Sequence, residues 1–266
     1  MMKKLGIFGL VVLITAGTIL YFQTSYRVSR QLNKAYENYQ AGEKAETIAE
    51  RKEAFNKALK TYKKLEESND PASGNGKLYY NVGNSYFQLE QYPWAILNYH
   101  RALRLRPQDS KVQNNLSIAQ KRLNISQAQT ITPFKKVFFF HYAYSLPERL
   151  QIFAAFAIAS ILLGSLAIWL RNHWVQKIAL AFCLGALMMF LSLGYTRYLE
   201  PVGGVLVQST YLYRDAGWQY AKVGEEPVMS GMRVEVLDVL EDGKWVKIVT
   251  TDGTLGYIPY DSIRVI

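Results

Sequence analysis

The sequence contains one cysteine and three histidines among its 266 residues. A single cysteine excludes an intrachain disulfide and a zinc site built from several thiolates. His100, His141 and His173 lie too far apart in the chain for the short ligand spacings of metal-binding motifs. We therefore expect no metal and no cofactor, and we expect Cys183, inside an apolar run, to be a small packing residue.

Catalytic motifs are also missing. The chain has no glycine-rich phosphate-binding loop and no Gly-x-Ser-x-Gly turn around a nucleophilic serine. Its acidic pairs, Glu66-Glu67 and Glu225-Glu226, are interpreted as solvated charges on a helix face and in a loop. The sequence predicts a protein that is not an enzyme.

Acidic residues are scarce in one part of the chain and in excess in another. Residues 23–149 hold 20 lysines and arginines against 11 acidic residues, whereas residues 200–266 hold 6 against 10. The net charge of +10 would by itself suggest nucleic acid as a partner. A basic segment joined to an acidic one indicates two domains instead, and we expect no nucleic-acid partner.

Three long apolar runs without charged residues divide the chain. They are Leu5–Phe22, Ile152–Leu170 and Ile178–Tyr195. Each is long enough to cross a hydrocarbon core of about 30 Å. The first run, within residues 1–25, is a retained membrane anchor or a cleaved signal segment; the anchor is favoured because signal peptides have apolar regions of about 7–15 residues. The other two runs predict a transmembrane helical hairpin within residues 150–197.

Basic residues beside these runs predict the orientation. Lys3 and Lys4 precede the first run, and Arg171 and Lys177 flank the turn of the hairpin. The positive-inside rule places both in the cytoplasm, although basic residues on the opposite side weaken the bias. A hairpin returns the chain to the side that it left, so the segments before and after it are expected on the extracytoplasmic side of the membrane. The aromatic and basic linker 131–149 is expected at the membrane interface.

Residues 76–109 carry the clearest motif of the chain. Apolar residues recur on one face of a predicted helix, and a turn at residues 90–91 leads to a second helix that begins near Pro93. The segment resembles the tetratricopeptide repeat, a 34-residue pair of helices. The matching positions are Tyr79, Val82, Gly83, Tyr86, Ala95, Tyr99, Ala102 and Pro107.

A weaker copy of the repeat precedes it. Ala58, Tyr62 and Leu65 have the spacing of the second helix, but the first helix, expected within Gln31–Arg51, lacks the hydrophobic-Gly pair. Downstream, a helix over Ser110–Leu123 is expected to cap the array. Residues 26–130 thus predict an all-α tetratricopeptide-repeat domain.

The resemblance implies a groove that holds a peptide or a partner helix. Its positions are Lys77, Tyr80, Asn84, Phe87, Gln88, Lys111, Asn114 and Asn115. In family members that grip a C-terminal carboxylate, two asparagines stand where Asn84 and Asn115 stand here. Tyr80, however, replaces a lysine of that clamp, so an ordinary partner groove is favoured over a carboxylate clamp.

From Gly203 onward, short β-rich runs replace helical periodicity. The candidate strands are Val205–Gln208, Tyr211–Arg214, Arg233–Leu240, Trp245–Thr250, Leu255–Ile258 and Ile263–Val265, with Asp-Gly turns between three of them. This order is similar to bacterial SH3-like domains and predicts an all-β barrel over residues 203–266.

The SH3-like resemblance implies binding of peptide or cell-wall material. The ligand surface would include Tyr213, Trp218, Trp245 and Tyr257. For Trp245 and Tyr257, half-buried positions in strands are the favoured alternative.

The order of anchor, repeats, linker, hairpin and barrel resembles the BatE family, repeat proteins of the Bacteroides aerotolerance (Bat) type of operon. The resemblance rests on this order and on the segments Tyr79–Tyr86 and Ala102–Pro107. It implies an interaction scaffold in envelope integrity or stress tolerance, beside membrane proteins with von Willebrand A-type domains and, indirectly, a MoxR-type ATPase. The alternative is a cell-wall sensor, in which the SH3-like domain binds glycan-linked peptide and the repeats relay the signal.

Overall fold

The computed structural model describes residues 26–68, 76–125, 138–240 and 243–266. These residues form two compact units. The first contains the described residues up to 102 together with 114–124, and the second contains 103–113 and the described residues from 125 onward. The predicted N-terminal anchor and residues 131–137 of the predicted linker lie outside the described residues.

Five helices follow one another in the first half of the chain. They are α1 (26–44), α2 (Ile48–Glu67), α3 (Lys77–Gln88), α4 (Tyr92–Leu105) and α5 (Ser110–Arg122). α2 begins after Thr47, whose hydroxyl accepts a hydrogen bond from the Glu50 amide. Pro93 is the second residue of α4, where the missing amide hydrogen is not needed. The predicted pair over 76–109 and the predicted helix after it are confirmed as secondary structure.

The first pair of helices departs from the expected spacing. α2 has 20 residues and α4 has 14. The difference arises because α2 begins about two turns earlier relative to its apolar stripe of Ala58, Tyr62 and Leu65. The close contact between α1 and α2 is therefore made at Gly42, where a Cβ atom would lie 2.8 Å from the Phe55 ring. Gly42 does not stand at the position that Gly83 has in the repeat of residues 76–109, so the repeat pattern does not predict this contact.

Aromatic rings fill the core of the helical array. Phe55, Tyr62 and Tyr99 are fully buried. A Cβ atom on Gly83 would lie 2.7 Å from Cε1 of Tyr99, so the absence of a side chain lets α4 pack against α3. The cap helix α5 buries the three predicted residues Val112, Leu116 and Ala119.

Two long helices form a hairpin in the second unit. A short helix, α6 (Phe139–Ala143), precedes α7 (Leu146–Leu170) and α8 (His173–Tyr198). Both long helices begin before the predicted apolar runs because polar residues cap them. The Glu148 carboxylate accepts from the Ser145 amide at 2.7 Å, and the Asn172 side chain accepts from the Trp174 amide at 2.8 Å.

The hairpin presents apolar side chains to its surroundings. Among the described residues, α7 and α8 are the two helices with the length and composition to cross a membrane. Ile168 and Trp169 are 79% and 81% exposed. Gly185 makes room for the ring of Phe156, since a Cβ atom there would lie 2.7 Å from it. The helices thus pack along a narrow seam and leave the rest of their apolar surface uncovered by the described residues.

The C-terminal residues form a five-stranded antiparallel sheet. The strands are β1 (Val202–Leu206), β2 (Arg233–Val239), β3 (Trp245–Val249), β4 (Leu255–Pro259) and β5 (Ile263–Val265), in the order β4-β3-β2-β1-β5. Gly243 and Gly253 have φ values of 64° and 87°, which favour glycine. The β2–β3 and β3–β4 pairs confirm the two predicted hairpins.

A very short connection joins the two edge strands of this sheet. Only the 3₁₀ turn Tyr260–Ser262 lies between β4 and β5, although three strands separate them in the sheet. In a flat sheet, strands about 4.8 Å apart would put the two edges roughly 19 Å from each other. Three residues of 3₁₀ helix advance about 6 Å. The sheet must therefore curl until its edges approach each other, as a small barrel requires.

Two strand predictions need correction. Tyr211–Arg214 is wrong as a strand, because Tyr213 makes isolated bridges to Tyr257 and Lys222. The hydrogen bonds from the Arg214 amide to the Ala221 carbonyl and from the Val223 amide to the Leu212 carbonyl belong to the second bridge. Each bridge therefore covers a single residue pair and does not extend into a ladder. The first strand, predicted over Val205–Gln208, lies at Val202–Leu206 because its glycines also pair with β2.

Candidate protein-interaction site

One side of α3 carries five of the predicted groove residues. We call Lys77, Tyr80, Asn84, Phe87 and Gln88 the α3 face. Their spacing of three, four, three and one residues keeps them on one stripe of the helix. The opposite stripe, with Leu78, Val82 and Tyr86, is buried, so core packing fixes which side α3 presents. Lys77 and Gln88 are exposed, and the other three are half-buried.

Asn84 links three helices. Its Oδ1 accepts a hydrogen bond from the Tyr99 hydroxyl of α4 and another from Nδ2 of Asn115 in α5, both at 2.9 Å. Nδ2 of Asn115 also donates to the Tyr80 hydroxyl at 3.3 Å. Asn84 therefore has a structural role as well as a place on the α3 face.

These contacts leave one donor group, an amide NH₂, and one acceptor atom, an amide oxygen, available for a partner. Because Oδ1 of Asn84 already accepts two bonds, its Nδ2 is the group that remains, and it has no partner among the described residues. Asn115 uses its Nδ2 twice, so its Oδ1 remains as an acceptor. An amide donor beside an amide acceptor matches the C=O and N–H of a peptide backbone.

The same geometry bears on the carboxylate clamp. The structure brings Asn84 and Asn115 together, but the third polar group beside them is the neutral hydroxyl of Tyr80. A carboxylate is bound most strongly by a cation such as the ammonium group of lysine. Lys111 and Asn114 are exposed in the first turns of α5, and their place in a groove stays a prediction.

Two further residues of the α3 face, Phe87 and Gln88, contact aromatic side chains. The Phe87 ring meets the Tyr92 ring edge-on, with 5.3 Å between centroids. Nε2 of Gln88 donates to the Tyr39 hydroxyl of α1 at 3.4 Å. Burial raises the pKa of Tyr39, while the Gln88 bond opposes this rise, so the hydroxyl stays protonated near neutral pH. Sequence reasoning missed Tyr39; the aromatic pair Tyr36 and Tyr39 in α1 was its only signal.

A second candidate site is an aromatic cluster beside the sheet. The rings of Tyr213, Trp218 and Trp245 contact one another edge-on, with centroids 5.0 to 5.5 Å apart. Tyr213 also exchanges two backbone hydrogen bonds with Tyr257, so the four predicted residues come together. Trp245 is buried and Tyr257 is half-buried, whereas Trp218 is 67% exposed. Trp218 is therefore the ring best placed to meet a ligand.

Within the described ranges, no three His, Cys, Asp or Glu side chains come together as metal ligands.

The comparison with protein families agrees with the helical site. Residues 76–109 match the family model of the tetratricopeptide repeat, which confirms the predicted repeat with the same bounds. The comparison with curated protein sequences found no significant match. Because this repeat is a non-catalytic protein-interaction motif, the match supports a protein that acts by binding other proteins.

Proposed function

We propose that the protein is a membrane-anchored scaffold, not an enzyme, that binds protein partners through the α3 face. The observation that carries the proposal is the repeat at residues 76–109, whose exposed side combines amide, hydroxyl and aromatic groups. Aromatic rings supply apolar contact area, and the amides of Asn84 and Asn115 supply hydrogen bonds to a backbone. The positive charge of residues 23–149 favours an acidic partner.

The hairpin of α7 and α8 is proposed to hold the protein in a bacterial inner membrane. Its exposed apolar side chains support this, because such a surface is stable in lipid and unfavourable in water. At the turn, the Lys177 ammonium lies 4.7 Å from the centroid of the exposed Trp174 ring. A basic residue and tryptophan together are typical of a membrane interface. With this turn in the cytoplasm, the helical array and the sheet both lie outside.

A Bat-type envelope complex linked to stress tolerance is the proposed setting. The order of segments supports it: an apolar N-terminal run, the repeats, the hairpin and a curled C-terminal sheet, whose sequence resembles SH3-like domains. Within this setting the partners are membrane proteins with von Willebrand A-type domains, and indirectly a MoxR-type ATPase.

Partner capture by variants of the full chain tests the binding surface. In cells, Lys77→Ala with Gln88→Ala removes exposed side chains of the α3 face, and Lys60→Ala removes an exposed lysine from α2 as a matched control. After crosslinking and purification from membranes, we expect the first variant to lose specific partners and the control to keep them. Equal capture by both would exclude the α3 face as the binding surface.

The aromatic cluster favours one alternative, a cell-wall sensor. Its test is binding of the purified full chain to isolated peptidoglycan. Trp218→Ala should abolish binding, whereas Tyr220→Ala, an exposed ring in the same loop, should not. Absence of binding by the unaltered chain would reject the sensor.

A further inference from the structure

Arg149, in the first turn of α7, is the most deeply buried cation of the hairpin. Its side chain is 5% exposed. All hydrogen bonds of Arg149 to the described residues are donated by one nitrogen, Nη1. The acceptors are Nδ1 of His141 at 2.7 Å, Oγ of Ser192 at 2.9 Å, Oγ1 of Thr196 at 3.0 Å and the Ser192 carbonyl at 3.3 Å. These contacts tie α6 and α7 to α8.

The other edge of the guanidinium has no hydrogen-bond partner among the described residues. Nε is buried and makes no hydrogen bond, and Nη2 makes none to the described residues. In the planar guanidinium group, Nε–H and one N–H of Nη2 point in the same direction. This edge is the one that binds two oxygens of a phosphate or carboxylate.

Arg149 makes no direct ion pair within the part of the chain that the structure describes, and Glu200 is the carboxylate whose charge acts on it. No carboxylate of these residues lies within 4.0 Å of it. The neighbouring Glu148 carboxylate accepts from the amide and hydroxyl of Ser145, and Glu200 lies 3.7 Å from Nε2 of His141. Residues 126–137, which precede α6 in the chain, contain no acidic residue but include Lys135 and Lys136. An anion in direct contact with the unpaired edge of Arg149 would then come from a more distant segment or from outside the chain.

The surroundings of Arg149 indicate where such an anion would come from. Leu146 and Leu150, next to it on α7, are 48% and 55% exposed, and Tyr142 and Tyr144 are also exposed. If the hairpin crosses a membrane, as proposed above, this end lies at the depth of the lipid headgroups, where aromatic rings concentrate. Headgroup phosphates are the abundant anions at that depth. A buried arginine N–H without a hydrogen-bond partner is unfavourable, and a phosphate oxygen would satisfy it.

We propose that Arg149 binds the phosphate of a phospholipid headgroup through its Nε–Nη2 edge. The inference rests on the proposed membrane placement, and it adds a specific lipid site to it. Arg149→Lys keeps the positive charge but removes the two-pronged edge. Arg197→Lys is the matched control, because Arg197 lies near the same end of the hairpin and is exposed.

The test is thermal unfolding of the full chain in alkyl maltoside detergent with added phosphatidylglycerol, diacylglycerol of the same chains, or inorganic phosphate. We expect phosphatidylglycerol to raise the midpoint of the unaltered chain and of Arg197→Lys by roughly 5 °C, and that of Arg149→Lys by much less. Diacylglycerol and inorganic phosphate should have little effect. An equal rise with inorganic phosphate would assign the site to free phosphate, and an equal rise in Arg149→Lys would overturn the site.

Two further measurements keep the outcomes separate. If Arg149→Lys does not fold, native mass spectrometry of the unaltered chain decides: retention of phosphatidylglycerol but not diacylglycerol supports the site, and equal retention overturns it. Alkaline extraction of membranes tests the placement alone. Release of the unaltered chain would contradict the proposed anchoring, whereas a chain that stays in the membrane without a preference for phosphatidylglycerol contradicts only the lipid site.

Discussion

Gly83 is the residue that lets α3 and α4 pack closely, and replacing it should damage the repeat. In Gly83→Leu the Cβ atom would lie 2.7 Å from Cε1 of Tyr99, whose fully buried ring has no room to retreat. Overpacking of this kind should lower the free energy of unfolding by about 3 kcal/mol. Hydrogen exchange of the full chain should show faster exchange in α3 and α4. Lys77→Leu, at an exposed position of the same helix, should leave that exchange unchanged; if the two variants behave alike, the packing argument fails.

Asn84 should contribute to stability through Tyr99. Burial raises the pKa of Tyr99, so its hydroxyl is protonated and needs an acceptor. Asn84→Ala removes that acceptor, and the hydroxyl hydrogen left without an acceptor should lower the free energy of unfolding by about 1–3 kcal/mol. Tyr99→Phe should cost less, since Asn84 keeps its bond from Asn115. In the double variant, the loss measured by denaturant unfolding should be smaller than the sum of the single losses. Additive losses would contradict the hydrogen bond.

His141 should make the hairpin end sensitive to acid. Nδ1 accepts bonds from Arg149 and Ser192, which assigns the proton of the neutral ring to Nε2, facing Glu200. Burial, and then the Arg149 charge, lower the pKa of His141, while Glu200 opposes this. A lowered folded-state pKa gives stabilisation that is complete above the unfolded value of about 6.5 and is lost as the pH falls through the folded value.

The measurement is the unfolding midpoint between pH 7.5 and pH 5. The unaltered chain should lose more stability on acidification than His141→Gln, which cannot be protonated. An equal loss in both would show that another group is responsible.

At the scale of the elements, Gly256 in β4 controls the contact with the loop that carries Tyr213. A Cβ atom on Gly256 would lie 2.7 Å from the Tyr213 carbonyl oxygen, a backbone atom that cannot move without breaking its bridge to Tyr257. Gly256→Ala should lower the free energy of unfolding of the sheet by about 2 kcal/mol. Gly224→Ala, where a Cβ atom meets open space, is the control and should have little effect. Hydrogen exchange of β4 reads out both, and unchanged exchange in Gly256→Ala would refute the contact.

Local signals explain which elements the sequence predicts well. The pair α3 and α4 and the helix α5 follow from apolar periodicity, and the hairpins β2–β3 and β3–β4 follow from Asp-Gly turns. Other features depend on partners distant in the chain. Alternating residues predict a strand at 211–214, but Tyr213 pairs with Lys222 and Tyr257 in isolated bridges that do not extend into a ladder. The contact of Asn84 with Asn115 spans 31 residues, so no local pattern indicates it.

At the scale of the whole molecule, we propose that a protein-binding repeat and a curled sheet lie on one side of a membrane. The repeat match carries the first part, and the exposed apolar surface of α7 and α8 supports the second. A hairpin anchor requires that both soluble segments share a side and that the turn at 171–172 lies on the other. Partners of the repeat would then be extracytoplasmic or membrane-bound proteins.

Cysteine labelling of intact spheroplasts tests this arrangement most directly. In a Cys183→Ser background, single variants Lys60→Cys, Gly224→Cys and His173→Cys report on α2, the sheet segment and the hairpin turn. A membrane-impermeant maleimide should label the first two in intact spheroplasts and the third only after permeabilisation. Labelling of His173→Cys alone would reverse the orientation, and labelling of only one soluble segment would contradict the membrane hairpin itself.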